Sequence, residues 1–514
     1  MRFLRFLLVL AVVVVLAIFG LRLIYPLPDL PADPASTALP ASEQTPLGAA
    51  LMPAAAAHPG QSGIWPLSDG REAYAARVLL ARTAQESIDL QYYIWQTDET
   101  GWMLLDEVRK AAERGVRVRL LLDDNGIPGL DAELAALNAT PNVEVRIFNP
   151  FTLRSPRMLS YAFDFRRLNH RMHNKAMIVD GAATVLGGRY IGNIYFDYGQ
   201  GVHYFDADVM AVGPVVDDVA QNFDRYWASG SAYPAELILD PAPGGMESLL
   251  AHAEEARATA FAAQYVDAIA ETPLIQRMQA GTLRFEWGEV SFFSDDPAKG
   301  LGQAEGDGLL ISQIIALAQP KQTFDLVSAY FIPGEVGTEI LTGFVAEGVR
   351  TRVLTNALAS TDVVPVHGAY MKYRDDLVAG GVETLELRPQ ADRVREHGLS
   401  NMIVGSASSL HAKTFAIDGE KIFVGSFNFD PRSAQLNTEM GLLIPSRAMA
   451  QGLATVLEEA SQYYRVSETA EGRMIWIETR PDGSELVLTK EPESTLMQRA
   501  FARLVSWLPV EWML

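Results

Sequence analysis

The strongest constraint on the fold of this 514-residue chain is that its two halves repeat one pattern of strands, helices and short motifs. In the first half, a strand at 87–95 precedes a helical stretch at 104–113 and a second strand at 116–122. The second half has the same order, offset by roughly 233–238 residues, at 324–331, 339–347 and 349–354. This duplication of alternating strands and helices predicts two α/β repeats of the same fold.

The remaining sequence divides the chain into segments around the two repeats. The stretch 26–65 is rich in Pro, Ala, Ser and Thr and lacks periodic apolar positions, which predicts a semi-extended linker. The expected segments are an apolar N-terminal segment at 1–25, the linker at 26–65, a first repeat at 66–240, a helical connection at 241–307, a second repeat at 308–465 and a C-terminal segment at 466–514.

Composition excludes several classes of function. The formal net charge is −21, whereas a protein that follows a nucleic-acid backbone carries a basic excess that neutralises phosphates. The chain has no cysteine, so it has no disulfide framework, no thiolate nucleophile and no Cys-ligated zinc. A small basic pocket for one phosphate is compatible with this composition.

The N-terminus contains an apolar run that is long enough to cross a membrane. Arg2 and Arg5 precede the run at 6–21, and further apolar residues follow Arg22. As a helix, residues 6–25 would rise about 30 Å, and the basic residues before them favour a cytoplasmic N-terminus. A single membrane anchor is therefore expected, and a cleaved signal peptide is the alternative.

The C-terminal stretch 501–514 is also apolar and contains Trp507 and Trp512. Such a stretch can pack into the core, or it can lie at a membrane surface, where tryptophan prefers the depth of the headgroups. The sequence leaves both interpretations open.

Each repeat carries a His-x-Lys motif that ends in Asp-Gly. His173 and Lys175 form the first motif, and His411 and Lys413 form the second, with the two histidines 238 residues apart. Residues two apart on a strand point to the same face, and Asp-Gly after a strand predicts a hairpin. Either histidine alone would be interpreted as an ordinary hydrogen-bonded side chain, but the repetition in register favours a functional pair.

The hairpins gather further polar groups near each histidine. With two-residue loops at 181–182 and 419–420, the pairing is predicted to place Tyr190 opposite His173, Gly188 opposite Lys175, Asn428 opposite His411 and Ser426 opposite Lys413. An imidazole, an ammonium group and neutral donors on one patch are the components of a phosphate site.

Asp180 and Asp418 lie at the predicted turns, seven residues after each histidine. Aspartate is a favoured turn residue, so a structural role is expected for both. No cysteine, carboxylate or second histidine has ligand spacing next to His173 or His411, so no metal site is predicted.

These residues form the HKD pattern, and from about residue 69 onward the chain resembles the phospholipase D superfamily. Within it the chain is most similar to the bacterial cardiolipin synthase C group. The supporting stretches are 88–95, 187–196, 212–227, 355–362, 366–374, 436–443 and 508–514.

The resemblance implies that the two repeats pack about a pseudo-two-fold axis, with one active site at their interface. It implies that His173 attacks phosphorus to form a phosphohistidine and that His411 acts as acid and then base, without a metal or other cofactor. The residues implied to hold the phosphoryl oxygens are Lys175, Lys413, Ser426 and Asn428. The family also has carboxylates that orient the histidines, for which the matching residues are Glu439 in the second repeat and Asp208 in the first.

The first repeat departs from the group's Gly-Gly-Arg-Asn pattern, because Tyr190 occupies the Asn position and Asn193 follows three residues later. A phenol can still donate to phosphate, but its ring narrows the cleft. Substrate contacts are expected from Gly188, Tyr190, Asn193 and Arg171. A basic rim for anionic headgroups is one interpretation, and solvated surface charge the other, for Arg166, Arg167, His170, Arg171, Arg388, Arg393 and Arg395.

The function that the resemblance implies is phosphatidyl transfer between phospholipids, with cardiolipin formed from phosphatidylglycerol and a second phospholipid. The alternatives are a phospholipase D that releases phosphatidic acid, a nuclease of the same superfamily, and a non-catalytic membrane-tethered binding protein. The expected partners are phospholipids and a membrane, with no nucleic acid. The expected location is a bacterial inner membrane with the bulk of the chain in the periplasm, or a cleaved and exported form.

Overall fold

The computed structural model describes residues 2–31, 36–199, 203–389 and 409–514. Its helices are α1 (Arg2–Ile24), α2 (Pro46–Ala56), α3 (Gly70–Thr83), α4 (Glu99–Glu113), α5 (Asp131–Asn138), α6 (Tyr161–Leu168), α7 (Val215–Trp227), α8 (Gly245–Ala258), α9 (Ala260–Ala270), α10 (Pro273–Gln279), α11 (Leu310–Leu317), α12 (Gly334–Ala346), α13 (Val364–Ala379), α14 (Pro431–Gln435), α15 (Arg447–Glu458) and α16 (Leu496–Ser506). Its strands in the first half are β1 (Ser62–Leu67), β2 (Ser87–Ile94), β3 (Arg117–Gly126), β4 (Val143–Phe148), β5 (Ala176–Val179), β6 (Ala183–Gly187), β7 (Tyr204–Phe205), β8 (Asp208–Val212) and β9 (Ala232–Pro234). The strands that follow are β10 (Glu286–Gly288), β11 (Ser291–Ser294), β12 (Thr323–Ser328), β13 (Arg350–Asn356), β14 (Glu383–Leu387), β15 (Ser409–Leu410), β16 (Lys413–Ile417), β17 (Lys421–Gly425), β18 (Met440–Ile444), β19 (Tyr463–Glu468), β20 (Met474–Thr479) and β21 (Glu485–Leu488).

Two large mixed sheets form the two repeats, and their strand orders match. The first sheet contains the order β1-β8-β6-β5-β2-β3-β4-β9, with β10 added beside β1. The second contains the order β11-β18-β17-β16-β12-β13-β14-β19, with β20 and β21 added beyond β19. The predicted pair of homologous α/β repeats is confirmed by this equivalence of eight strands.

The repeats share a hydrophobic core. Ile178, Leu186 and Val209 of the first sheet lie in one buried cluster with Val424 and Leu442 of the second. The strands are rich in β-branched and aliphatic residues, and such strands need both faces of the sheet to be buried. Helices or the opposite repeat cover these faces. The two halves therefore form one body in which the central hairpins of the repeats face each other.

The hairpins have a register one residue different from the prediction. Val179 pairs with Ala183 and Ile417 pairs with Lys421, so each loop has three residues instead of two. Asp180 and Asp418 adopt positive φ angles of 50° and 55°, and a glycine with positive φ follows each of them. Asp-Gly gives this left-handed pair of residues at little steric cost, and the extra loop residue shifts the opposing strand by one position.

The two turn aspartates bind the chain that leads into the neighbouring strand. The carboxylate of Asp180 accepts hydrogen bonds from the backbone N–H groups of residues 85–87, at the start of β2. The carboxylate of Asp418 accepts the equivalent bonds from residues 321–323, at the start of β12. Each aspartate thus holds the hairpin against the start of a central strand, a structural role repeated in both halves.

The segments outside the repeats are more structured than expected. Within the predicted linker, α2 begins at a Thr45 N-cap, and the Ala38 N–H donates to Asp224 of the first repeat, so the described part of this segment from Ala38 onward contains a helix and contacts the domain. The boundary expected at 465 falls inside β19, because β20 and β21 extend the second sheet. Helix α16 then packs on α13, where Gly368 admits Ala502 and Val505 at close range.

The different burial of Asp180 and Asp418 predicts that alanine substitutions at these two equivalent positions lower the stability by different amounts. Asp180→Ala leaves three N–H groups without an acceptor at a site where Asp180 is fully buried, while Asp418→Ala leaves its three N–H groups near solvent, where water replaces the lost bonds. We expect Asp180→Ala to lower the apparent melting temperature by several degrees and Asp418→Ala to lower it less. Circular-dichroism melts of the purified variants measure this difference, and equal shifts would contradict the burial argument.

Candidate active site

Both histidines are held by backbone hydrogen bonds to the opposite repeat. The His173 N–H donates to the carbonyl of Thr438 at 2.9 Å, and the Thr438 N–H donates back to the carbonyl of Arg171 at 2.8 Å. In the other half, β15 pairs in parallel with β7, and the His411 N–H donates to the carbonyl of Phe205 at 2.8 Å. Each histidine segment therefore forms a short parallel pairing with the other repeat.

This pairing places a carboxylate from one repeat on the histidine of the other. Glu439 follows Thr438, and its Oε2 lies 2.7 Å from Nδ1 of His173. Asp206 follows Phe205, and its Oδ2 lies 2.5 Å from Nδ1 of His411. The carboxylates and histidines are thus paired crosswise, and both imidazoles depend on contact between the repeats.

The expected role of Asp208 is corrected by this arrangement, because Asp206 is the residue that contacts His411. Asp208 lies on β8, where its carboxylate binds the guanidinium of the buried Arg77 at 2.8 Å. Sequence reasoning missed Asp206 because the spacing from histidine to carboxylate differs between the repeats. The available signal was the lower repeat offset of about 233 residues, which leads from Glu439 to Asp206.

Burial and neighbouring charges shift the pKa values of the two histidines and their two carboxylates, and the two carboxylates shift in opposite directions. Burial and the charge of Lys175 lower the pKa of His173 well below its usual value, so this imidazole is neutral near pH 7. With Nδ1–H donating to Glu439, Nε2 then carries the lone pair that a nucleophile needs. Burial, which outweighs the charge of Lys175, raises the pKa of Glu439 to about 7.

In the second pair, His411 and Asp206, the pKa of the carboxylate shifts in the opposite direction. Burial and Lys413 lower the pKa of His411 to about 4. Burial acts to raise the pKa of Asp206, but the charges of His411 and Lys413 outweigh it and lower the pKa below the usual value of 3.8. The Asp206 carboxylate therefore stays ionised over the whole neutral range, whereas Glu439 titrates within it.

Both motif lysines are fully buried beside their histidines. Nζ of Lys175 donates to the carbonyl of His173 at 2.5 Å, and Nζ of Lys413 lies 3.0 Å from Nδ1 of His411. Burial lowers the pKa of both ammonium groups. A bound anion such as a phosphodiester favours the protonated form of both amines, and two ammonium groups in a dry site would then form a strong field for it.

Tyr190 lies between the two imidazoles. Its hydroxyl is hydrogen-bonded to Nε2 of His173, and its ring centroid is 5.6 Å from that of His173 and 5.1 Å from that of His411. Nζ of Lys175 lies 4.4 Å from the same ring centroid. The two hairpins therefore meet at one point, and the phenol occupies it in this structure.

Further tyrosines enclose this point. The rings of Tyr195 and Tyr204 lie 5.3 Å and 5.2 Å from the His411 ring, and the ring of Tyr93 lies 5.3 Å from the His173 ring. The hydroxyl of Tyr204 donates to Asp362 at 3.0 Å. The site is consequently lined by aromatic surface that excludes water around the imidazoles.

The remaining small polar residues support the carboxylates. The Ser426 hydroxyl donates to Oε2 of Glu439 at 2.5 Å. At the equivalent position a Cβ on Gly188 would lie 2.0 Å from Oδ1 of Asp206, so only glycine fits beside this carboxylate. Asn428 is buried, and its side-chain oxygen has no hydrogen-bond partner among the described residues.

Two residues expected at the substrate lie elsewhere. Arg171 is buried and binds Asp123 at 3.1 Å, so its guanidinium is already paired. Asn193 accepts a hydrogen bond from the Thr100 N–H at 3.0 Å and so binds the first turn of α4. Both are polar residues near the motif in sequence, and only the folded chain shows that their side chains bind other groups of the protein.

The predicted basic rim is divided in the structure. Arg388 binds Glu478 at 3.1 Å, and Arg393 and Arg395 lie outside the described residues. Arg166, Arg167 and His170 line a cavity beside the end of α1, away from the enclosed histidine pair.

A separate buried group has metal-ligand geometry within the described residues. It consists of His367, Glu386 and Glu491 in the second repeat. The guanidinium of Arg374 lies 3.2 Å from Glu386 and 2.8 Å from Glu491, so a cation is already paired with both carboxylates. This donor set does not fit a metal ion without displacement of the arginine.

Comparison with known proteins places the chain among a group of lipid enzymes. The family described as "Cardiolipin synthase, PLD-like domain" matches residues 79–227 and 312–460. Cardiolipin synthase C of Escherichia coli is 43% identical over 475 residues, which cover 91% of this chain and 99% of that protein. An uncharacterized protein of Helicobacter pylori is 32% identical over 515 residues, covering 96% of this chain and 99% of that one. The crystal structure of phosphatidylserine synthase from Haemophilus influenzae aligns with a TM-score of 0.56 over 88% of this chain and 95% of that one, at 15% identity, which is a likeness of fold.

The different pKa values of the two carboxylates predict a specific pH dependence. Glu439 takes up a proton as the pH falls below about 7 and then no longer accepts from Nδ1–H of His173 as a carboxylate, so kcat/KM for phosphodiester turnover should fall on the acid side. Glu439→Gln should remove this acid limb along with most of the activity. Initial rates from pH 5 to pH 9 measure the profile.

Asp206→Asn is the matched control, because its carboxylate remains ionised across this range. This variant should be slower but should retain the acid limb near pH 7. An unchanged limb in Glu439→Gln would show that another group titrates.

Proposed function

The chain belongs to the phospholipase D-like cardiolipin synthase family, and we propose that it transfers phosphatidyl groups between phospholipids through a phosphohistidine intermediate. The family match includes both repeats, and the likeness to cardiolipin synthase C extends over nearly the whole chain. The single observation that carries the proposal is that imidazoles from both repeats contact the same Tyr190 ring. One phosphorus atom between them would be within reach of a nucleophile and an acid.

In the first step, Nε2 of His173 attacks the phosphorus of a donor phospholipid. A P–N bond forms and the P–O bond to the headgroup alcohol breaks, while His411 gives its proton to the departing oxygen. Glu439 then stabilises the positive charge on the phosphorylated imidazole through Nδ1–H. The bound phosphodiester carries a negative charge, which raises the pKa of His411 from about 4 and lets it hold the required proton.

In the second step, His411 takes the proton from a hydroxyl of the acceptor, and that oxygen attacks phosphorus as the P–N bond breaks. With phosphatidylglycerol as acceptor the product is cardiolipin. Lys175, Lys413 and Asn428 would donate to the non-bridging oxygens in both transition states. The aromatic lining around the histidines favours a lipid hydroxyl over water as acceptor, because it keeps the site dry.

The membrane supplies the substrates in this proposal. Helix α1 is long and apolar enough to cross a bilayer, which agrees with the expected single anchor. Arg2 and Arg5 precede it, so we place the N-terminus in the cytoplasm and the catalytic repeats on the periplasmic side.

Lipid products test the proposed reaction directly. Full-length protein in mixed micelles of phosphatidylglycerol, with and without phosphatidylethanolamine, should form cardiolipin. His173→Ala and His411→Ala should each reduce turnover by at least about a thousandfold while the fold is retained, because each step needs both imidazoles. His252→Ala is the matched control and should retain full activity, because this exposed histidine of α8 lies against Trp102 of α4 and makes no contact with either catalytic histidine. Phosphatidic acid as the sole product would identify a hydrolase instead.

A substrate with a good leaving group tests which histidine is the nucleophile and which is the acid. A phosphatidyl ester of p-nitrophenol needs no acid for its leaving group, so His411→Ala should release one equivalent of nitrophenol and retain the phosphatidyl group on His173. His173→Ala should release none. A phosphatidyl group on residue 411 would reverse the roles.

Tyr190 predicts a second set of effects. Its phenol must leave Nε2 of His173 before attack, and we propose that it then donates to a phosphoryl oxygen. Tyr190→Phe should lower kcat/KM about tenfold through loss of that donor, whereas Tyr190→Asn provides a smaller donor and should be less impaired. Steady-state kinetics with phosphatidylglycerol measure this order. A Tyr190→Phe enzyme with wild-type rates would show that the hydroxyl makes no contact with substrate.

A further inference from the structure

A second cavity suited to an anion lies where α1 meets the folded domain. It has a volume of about 440 Å³, and its lining includes Arg22, Tyr25, Phe163, Arg166, Arg167 and His170. Nε of Arg22 donates to the carbonyl of Phe163 at 2.5 Å, and the ring of Tyr25 stacks on that of Phe163 at 6.2 Å. The last turn of the membrane helix thereby forms one wall of the cavity, and α6 forms another.

The cavity has a cationic surplus in a strongly acidic protein. Of its three arginines, Arg167 is paired with Asp164, and Arg22 and Arg166 are exposed. Nη1 of Arg167 is buried and has no hydrogen-bond acceptor among the described residues. A buried guanidinium N–H without an acceptor is costly, and an anion in the cavity would satisfy it.

Exposed apolar side chains lie on α6, which forms one wall of the cavity, and just before this helix. Phe165 on α6 is exposed and lies with its ring 6.3 Å from that of Trp512, which is also exposed. Met158 and Leu159, just before α6, expose 69% and 46% of their surface. A ligand with its charged group on the arginines would place attached hydrocarbon beside these residues and the apolar side chains of α1.

We propose that this cavity binds the phosphodiester headgroup of an anionic phospholipid of the membrane that contains α1. The arginines would take the phosphate, and the acyl chains would lie along α1 and beside Phe165 and Trp512. This site is distinct from the histidine pair, which is enclosed by tyrosines. It rests on α1 lying in a bilayer and not on the proposed transfer reaction.

The cavity is connected to the active centre by a short stretch of chain. Only residues 169–172 separate the end of α6 from His173, and Asn169 within this stretch accepts a hydrogen bond from Arg432 of the second repeat at 3.0 Å. A lipid held against α6 therefore fixes the orientation of the catalytic repeats relative to the membrane surface.

Binding measurements on the full-length protein test this proposal without reference to turnover. Native mass spectrometry of His173→Ala protein, released from detergent and titrated with phosphatidylglycerol, would count bound lipid. Adding Arg166→Gln and Arg167→Gln should weaken binding of one lipid equivalent at least tenfold. Arg225→Gln and Arg447→Gln, which remove exposed arginines elsewhere, form the matched control and should leave binding unchanged.

Further arms identify the ligand and guard against misfolding. Arg166→Gln alone removes an exposed side chain and leaves the Arg167–Asp164 ion pair intact. It should weaken binding of the same lipid several-fold with an unchanged melting temperature. Phosphatidylcholine should bind at least tenfold more weakly than phosphatidylglycerol. Equal binding of the arginine variants and the control would overturn the proposal. So would equal affinity for phosphatidylcholine, or full competition by millimolar inorganic phosphate, which would indicate a site for free phosphate.

Discussion

The active centre depends on one interaction that is made twice: a buried imidazole bound to a carboxylate from the opposite repeat. The short parallel pairings of β7 with β15 and of Met172 with Thr438 fix these contacts at the level of the backbone. A buried carboxylate without its partner is strongly unfavourable, so neither repeat could keep its catalytic groups in place alone. The shared hydrophobic core supplies the burial that makes the two halves inseparable.

The duplication gives the two halves equal scaffolds but unequal chemistry. Tyr190 stands where the second repeat has Asn428, and Gly188 stands where it has Ser426. The hydroxyl of Ser426 binds Glu439, while Gly188 makes room for Asp206. Together with the opposite pKa shifts of the two carboxylates, these differences separate a nucleophilic imidazole from one that carries protons. An exact two-fold site would offer no basis for assigning different roles.

Much of this organisation could be predicted from the sequence, because a motif repeated at a fixed offset encodes both the fold and the pairing of its sites. The histidines, the lysines and the turn aspartates follow from strand periodicity and Asp-Gly. The register was wrong by one residue because loop length depends on left-handed conformations at Asp180 and Asp418, which the sequence permits but does not require. Asp206 was missed and Arg171 misplaced for a related reason: which side chain reaches across an interface, and which pairs with Asp123, is decided by tertiary contact. Likewise, β20 and β21 extend the second sheet without any counterpart in the first repeat.

The contact between the domain and helix α1 affects how often the enzyme encounters its lipid substrates. Arg22 at the end of α1 donates to the carbonyl of Phe163 in the first repeat, so this end of the helix is attached directly to the folded domain. Encounters with lipid are then confined to a two-dimensional search, in which lateral diffusion and the local mole fraction of each lipid set the frequency of collisions. Under such confinement, the enzyme would respond to lipid domains in its immediate surroundings and not to the total lipid of the cell.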